Sequence, residues 1–71
     1  MNTNMLKYLV ELAGGEVNPI DAKIFFERFP EPNSKSELFS LEKLGFISLL
    51  SGDGHIQAIG VNKKDIDFAK N

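Results

Sequence analysis

The chain holds one histidine and no cysteine, which removes much of the side-chain chemistry a small protein can use. Without thiols there is no disulfide, no thiolate metal site and no thiol nucleophile. His55 stands beside Asp53 in a turn sequence, and such a pair falls short of the ligand set a zinc ion needs. The expectation is a solvated turn histidine and no metal. Gly14-Gly15 and Gly52-Asp53-Gly54 lack the lysine and the spacing of a phosphate loop, and turn chemistry accounts for both. Asp65 and Asp67 are two residues apart, so on a helix they do not face each other. They read as a capping residue and a surface charge. No nucleophile, base and orienting group come together, so the sequence points away from an enzyme and calls for no cofactor.

The pattern that does carry chemistry lies between residues 35 and 44. At about 100° per residue, Lys35, Phe39, Lys43, Ser36 and Ser40 fall on one arc of about 140°. Leu38, Leu41 and Leu44 occupy the other side, and Glu37 and Glu42 lie outside the arc. The outward face is therefore lysine, phenylalanine, lysine and two serines, with no acid. Lysines meet phosphates or base acceptors, serines donate to either, and an aromatic ring can lie against a thymine methyl. The plainer alternatives are a protein contact centred on Phe39, or a solvated face with one exposed phenylalanine, which is common on protein surfaces.

These residues need elements to hold them. Thr3 or Asn4 can cap a first helix that carries Met5, Leu6, Leu9 and Leu12 to about Ala13, where Gly14-Gly15 ends it. Glu16-Val17 reads as a short extended connector. A second helix is expected from Asn18 as N-cap, with Pro19 and Asp21 in its first turn. Its aromatic stripe is Ala22, Phe25, Phe26 and Phe29, and Pro30 and Pro32 stop it. On that helix Ile20 and Ile24 fall opposite the stripe, so the last helix, through Phe68, or a partner chain should cover them. Ser34-Lys35-Ser36-Glu37 has the form of a capping box for the third helix. Phe46–Leu50 and His55–Val61 then read as two strands around the turn Ser51-Gly52-Asp53-Gly54. Pairing Ser48 with Gln57 puts Ile47, Leu49, Ile56 and Ala58 on one face and leaves Leu50 near the tip. Asn62 caps a short final helix over 62–71. The core should gather Leu9, Phe25, Leu38, Leu41, Leu44 and Ile47.

At 71 residues the chain is one domain over 1–71, since domains start at ~50 residues. Apolar residues make up 42% and charged residues 25%, an ordinary globular balance. Apolar runs are too short for a membrane span or a signal peptide. The net charge of -2 gives no overall basic field. The positive charge gathers in the middle, where residues 33–64 hold Lys35, Lys43, Lys63 and Lys64 against Glu37, Glu42 and Asp53.

The order helix, extended piece, helix, helix, hairpin, helix resembles the winged helix-turn-helix family. The residues that carry the likeness are Leu38-Phe39-Ser40-Leu41-Glu42-Lys43-Leu44-Gly45-Phe46-Ile47, which are similar to the exit from a recognition helix into a wing, and Asn62-Lys63-Lys64-Asp65, similar to the helix that follows the last wing strand. The resemblance implies a mainly α, α+β fold: a three-helix core, a C-terminal antiparallel hairpin wing and a short final helix, and the shortness of that helix leaves room for a longer parent. It implies a bacterial or phage transcriptional regulator in the cytoplasm, a compartment that the lack of cysteine suits. The third helix, 35–44, would enter the major groove of double-stranded DNA through Lys35, Ser36, Phe39, Ser40 and Lys43. The wing would add His55 and Gln57. Binding by one copy would be weak, so a homodimer or a partner protein is expected, and no membrane. The wing tip departs from the family, with Asp53 and His55 where a basic side chain is usual. That favours the alternative, a protein-interaction module on the same scaffold, with Ile20, Ile24 and Leu50 as its contact surface.

Overall fold

The polar and apolar spacing resolves into four helices and a three-stranded antiparallel sheet in the computed structural model, which describes residues 2–70. The order is α1 (Thr3–Leu12), β1 (Pro19–Asp21), α2 (Ala22–Arg28), α3 (Asn33–Lys43), β2 (Ile47–Gly52), β3 (His55–Val61) and α4 (Lys63–Ala69). The sheet runs β1-β3-β2. One core lies between the helices and the inner face of the sheet, with Leu6, Leu9, Phe25, Leu38, Leu41, Ile47, Ile59 and Val61 fully or almost fully buried. Phe25 stacks on Phe29 at 5.3 Å, and Tyr8 meets Phe29 at 5.7 Å, so the aromatic stripe of α2 is anchored against α1. Among the described residues no helix is long and apolar enough to cross a membrane.

Several local expectations are corrected. Asn2, not Thr3 or Asn4, caps α1, its side chain accepting from the Met5 N–H at 3.0 Å. The extended piece is not Glu16-Val17 but Pro19–Asp21, and Asn18 starts no helix. Asp21 caps α2 instead, accepting from the Lys23 N–H at 2.9 Å. Ile20 is therefore not on a helix at all. It faces inward from β1 opposite Ile59 and is buried by its own sheet, while Ile24 stays exposed and Phe68 packs on Phe46. The capping box does not form. α3 begins at Asn33, the Ser34 hydroxyl donates to the Pro30 carbonyl, and Glu37 accepts from the Asn2 N–H at 2.8 Å. Leu44 is 51% exposed rather than in the core, because α3 ends at Lys43 and Leu44 lies at the margin of the leucine stripe nearest the outward face. Asn62 makes no side-chain cap, and Asp65 is buried without bonding a helix N–H, so it does not cap either, while Asp67 is exposed as expected.

The hairpin register also differs. Ser48 pairs with Gly60, not Gln57. The turn is made by Asp53 and Gly54, both at positive φ, as a two-residue turn between right-twisted strands requires. Gln57 is then skipped between the pairs Leu50–Ala58 and Ser51–Ile56, a bulge that returns Ile56 to the inner face and leaves Ala58 on the outer one. The Gln57 amide donates to the Gly52 carbonyl at 3.2 Å, and a Cβ on Gly52 would come within 2.8 Å of it, so the bulge and this glycine fit together.

Candidate nucleic-acid interface

α3 is held from behind by Leu38 and Leu41, both fully buried. That fixes the opposite side of the helix toward solvent. Ser36, Phe39, Ser40 and Lys43 are exposed there, Lys35 is half-buried, and Phe39 keeps 49% of its surface open. These five residues line a shallow concavity of about 440 Å³. The Ser40 hydroxyl donates to the Ser36 carbonyl at 3.2 Å, which leaves its oxygen as an acceptor. Lys35 lies 3.5 Å from Glu31 one turn earlier, an exposed pair of small energy.

The two acids of α3 are drawn off this face. Glu37 turns toward α1 and accepts from the Asn2 N–H. Glu42 turns toward the sheet and accepts from the Leu49 N–H at 2.7 Å, on the open edge of β2. Sequence spacing places both outside the basic arc but does not reveal what holds them there. Both donors are backbone N–H groups outside the helix, on Asn2 and Leu49, so the local signal for them is missing.

The far end of α3 is also fastened. Gly45, at φ +86, turns the chain out of the helix. The Asn62 N–H donates to the Phe46 carbonyl, its side-chain amide donates to the Gly45 carbonyl at 3.2 Å, and the Lys64 ammonium reaches the Leu44 carbonyl. Lys64 also lies 4.7 Å from the centre of the Phe46 ring. The first turn of α4 thus holds the exit of α3 through three successive carbonyls, a role for Asn62 and Lys64 that their position in the sequence does not announce.

The hairpin residues face elsewhere. His55 and Gln57 are exposed and, with Asp21, Lys23, Phe26, Glu31 and Ile56, line a cleft of about 510 Å³ between α2 and the sheet. They do not join the α3 concavity, which Lys35, Ser36, Phe39, Ser40 and Lys43 line by themselves. Strands β2 and β3 and their turn contain no lysine or arginine. Leu50 is 64% exposed on the outer face of β2. Of the three residues expected at a protein contact, Leu50 and Ile24 are open and Ile20 is not. Among the described residues no cluster of His, Cys, Asp or Glu could hold a metal ion.

Comparison with known protein families, curated proteins and solved structures finds no match to this chain. The functional reading therefore rests on the geometry.

Proposed function

We propose that the chain is a DNA-binding domain of the winged helix-turn-helix type, from a transcriptional or phage regulator, with α3 as its recognition helix. In this reading α2, the turn after it and α3 form the helix-turn-helix, and β2 and β3 form the wing. The arrangement of elements supports it: the strand between the first two helices pairs with the second strand of the hairpin. The observation that carries it is the outward face of α3. Two lysines flank an exposed phenylalanine and two serines, and both acids of the helix are tied to other elements. An exposed helix face with lysines, hydroxyls and a ring is what a major groove accommodates.

The charge sets the strength. Two lysine–phosphate contacts give a log–log salt slope of only about -2, and affinity in the ~10⁻⁴–10⁻⁶ M range of non-specific binding. Specific control then requires two copies on paired half-sites or further contacts from a longer parent. The test is chemical-shift mapping with random-sequence duplex DNA at low and high salt. Shifts centred on residues 35–43 that fade with salt support the proposal. No shift in that segment at low salt overturns it.

A second reading is favoured by the hairpin. Its cleft with α2 is rimmed by Asp21 and Glu31, its tip carries Asp53, and Leu50 projects from its outer face. Lys23 also lines the cleft, and this mixed charge beside an open leucine suits a protein surface better than a phosphate backbone. Shifts confined to this cleft, on titration with a protein partner and not with DNA, would favour an interaction module.

A further inference from the structure

Asp65 has no role in either reading, and it is the most unusual side chain in the fold. It is 0% exposed, and neither carboxyl oxygen has a hydrogen-bond partner among the described residues. Buried polar groups are nearly always bonded, and an ionised carboxylate without a partner is the most costly exception. Asp65 sits in the first turn of α4, where a carboxylate would ordinarily bond a free backbone N–H. Here its own N–H donates to the Asn62 carbonyl, and the Asn62 N–H is already given to Phe46.

We propose that Asp65 is a proton-operated latch: protonated, it lets α4 seat against α1 and hold the exit of α3, and ionised, it loosens that seat. α4 packs on α1, Ile66 is buried in the core, and Phe68 makes a T-shaped contact with Phe46 at 5.6 Å. The residues just before Asp65 in the chain, Asn62 and Lys64, are the ones that bind the Leu44, Gly45 and Phe46 carbonyls. A strained charge at position 65 acts directly on that clamp.

Among the described residues, no charged group is bonded to the carboxyl. α1 carries Lys7, Tyr8 and Glu11. Lys7 and Glu11 are exposed, and the Tyr8 ring lies against Phe25 and Phe29. At the end of α3, Glu42 is bonded to Leu49 and Lys43 is exposed. On α4 itself Lys64 is engaged with Leu44, and Lys63, Asp67 and Lys70 are exposed. Burial accordingly pushes the Asp65 carboxyl up from 3.8 to about 7.

The sign follows from linkage. In the unfolded chain Asp65 ionises above about pH 4, whereas in the fold it keeps its proton to about 7. Its stabilising effect is therefore complete below about pH 4, is lost at about tenfold in the folding equilibrium per pH unit up to about pH 7, and is constant above that. The latch stands without the DNA reading; only its consequence for the α3 face rests on it.

The experiment is a carbon-detected NMR titration of the side-chain carboxyls, paired with urea unfolding between pH 4 and 8 for the natural chain and for Asp65→Asn. The expected result is an Asp65 midpoint near 7. Over the same window the folding equilibrium of the natural chain should fall by up to ~10³-fold and that of the variant should stay flatter. Amide exchange over residues 62–70 should quicken as Asp65 ionises. An Asp65 midpoint below about 5 overturns the proposal, as does an unchanged pH slope in the variant. If Asp65→Asn does not fold, the titration of the natural chain decides alone. DNA binding that persists unchanged through pH 7 while the titration holds would sever the latch from α3 and leave the latch itself standing.

Discussion

Phe39 is the side chain at which the two functional readings part. Its outward direction is legible in the sequence because α3 is one unbroken helix, so phase counted from Leu38 and Leu41 carries through to residue 39. The same count fails at Leu44, one residue past the last helical position, where Gly45 turns the chain and the leucine is left open. Phe39→Ser should cost only about 1 kcal/mol of stability, since half of the side chain is already open. If α3 enters a groove, the variant keeps its salt-dependent affinity for duplex DNA with a modest reduction, read by titration at two salt concentrations. If the face is a protein contact, the partner is lost, because a desolvated aromatic is a common hot spot. Leu41 is the opposite case, fully buried behind the same helix. Leu41→Ala should cost ~2–5 kcal/mol by leaving a cavity. In a domain of this length the whole stability is about 4–10 kcal/mol, so urea unfolding should find the variant largely unfolded or close to it. A Leu41→Ala variant as stable as the natural chain would mean that α3 is rotated from the phase described.

At the scale of elements, what the sequence concealed is long-range pairing. Asn18, Pro19 and Asp21 offer the same local signals whether the chain enters a helix at once or makes a three-residue strand first. The strand is decided by β3, about forty residues later, which pairs Pro19, Ile20 and Asp21 with Gly60, Ile59 and Ala58. The capping box of Ser34 and Glu37 fails for a similar reason, since each residue finds a partner beyond the intended one, in Pro30 and Asn2. The turn at Asp53-Gly54 was legible, but the bulge at Gln57 was not, because skipping one residue depends on how the sheet meets the core. The α3 face itself survives these changes, since Leu38 and Leu41 orient it and Glu37 and Glu42 are removed from it by bonds to other elements. Exchanging Lys35 and Lys43 together for glutamine should therefore flatten the salt dependence of duplex binding by about 2 in slope. Stability should hardly move, since the pair of Lys35 with Glu31 is exposed and worth ~0–1 kcal/mol. A slope that remains at its natural value would place the phosphate contacts elsewhere on the molecule.

For the molecule as a whole, α4 decides whether the rest holds together. The sequence announces this helix through Asn62 and its apolar side, and offers it or a partner chain as cover for Ile20 and Ile24; Ile20 is taken by the sheet and Ile24 stays open. The structure sets it on α1 and on the exit of α3. Nothing local to residues 62–70 specifies that choice; it follows once β1 has taken Ile20 into the sheet and Phe46 is left for Phe68. Ile66 is buried and Phe68 half-buried, so losing the two forfeits ~2–4.5 kcal/mol of apolar burial. Losing the clamp also leaves the Leu44, Gly45 and Phe46 carbonyls without their partners from α4, and each such hydrogen bond contributes ~1 kcal/mol. Together these approach the ~4–10 kcal/mol that holds a chain of this length folded. Deleting residues 62–71 should therefore abolish cooperative thermal unfolding, followed by circular dichroism. Any helix left should be distributed over α1–α3 without the dispersed amide spectrum of a packed core. Deletion would also remove the carboxyl of Asp65, so a remnant that does fold should show none of the pH dependence described above. A truncated chain that melts cooperatively within a few degrees of the natural one would show that the three-helix core and sheet suffice, and that α4 is seated on the fold without supporting it.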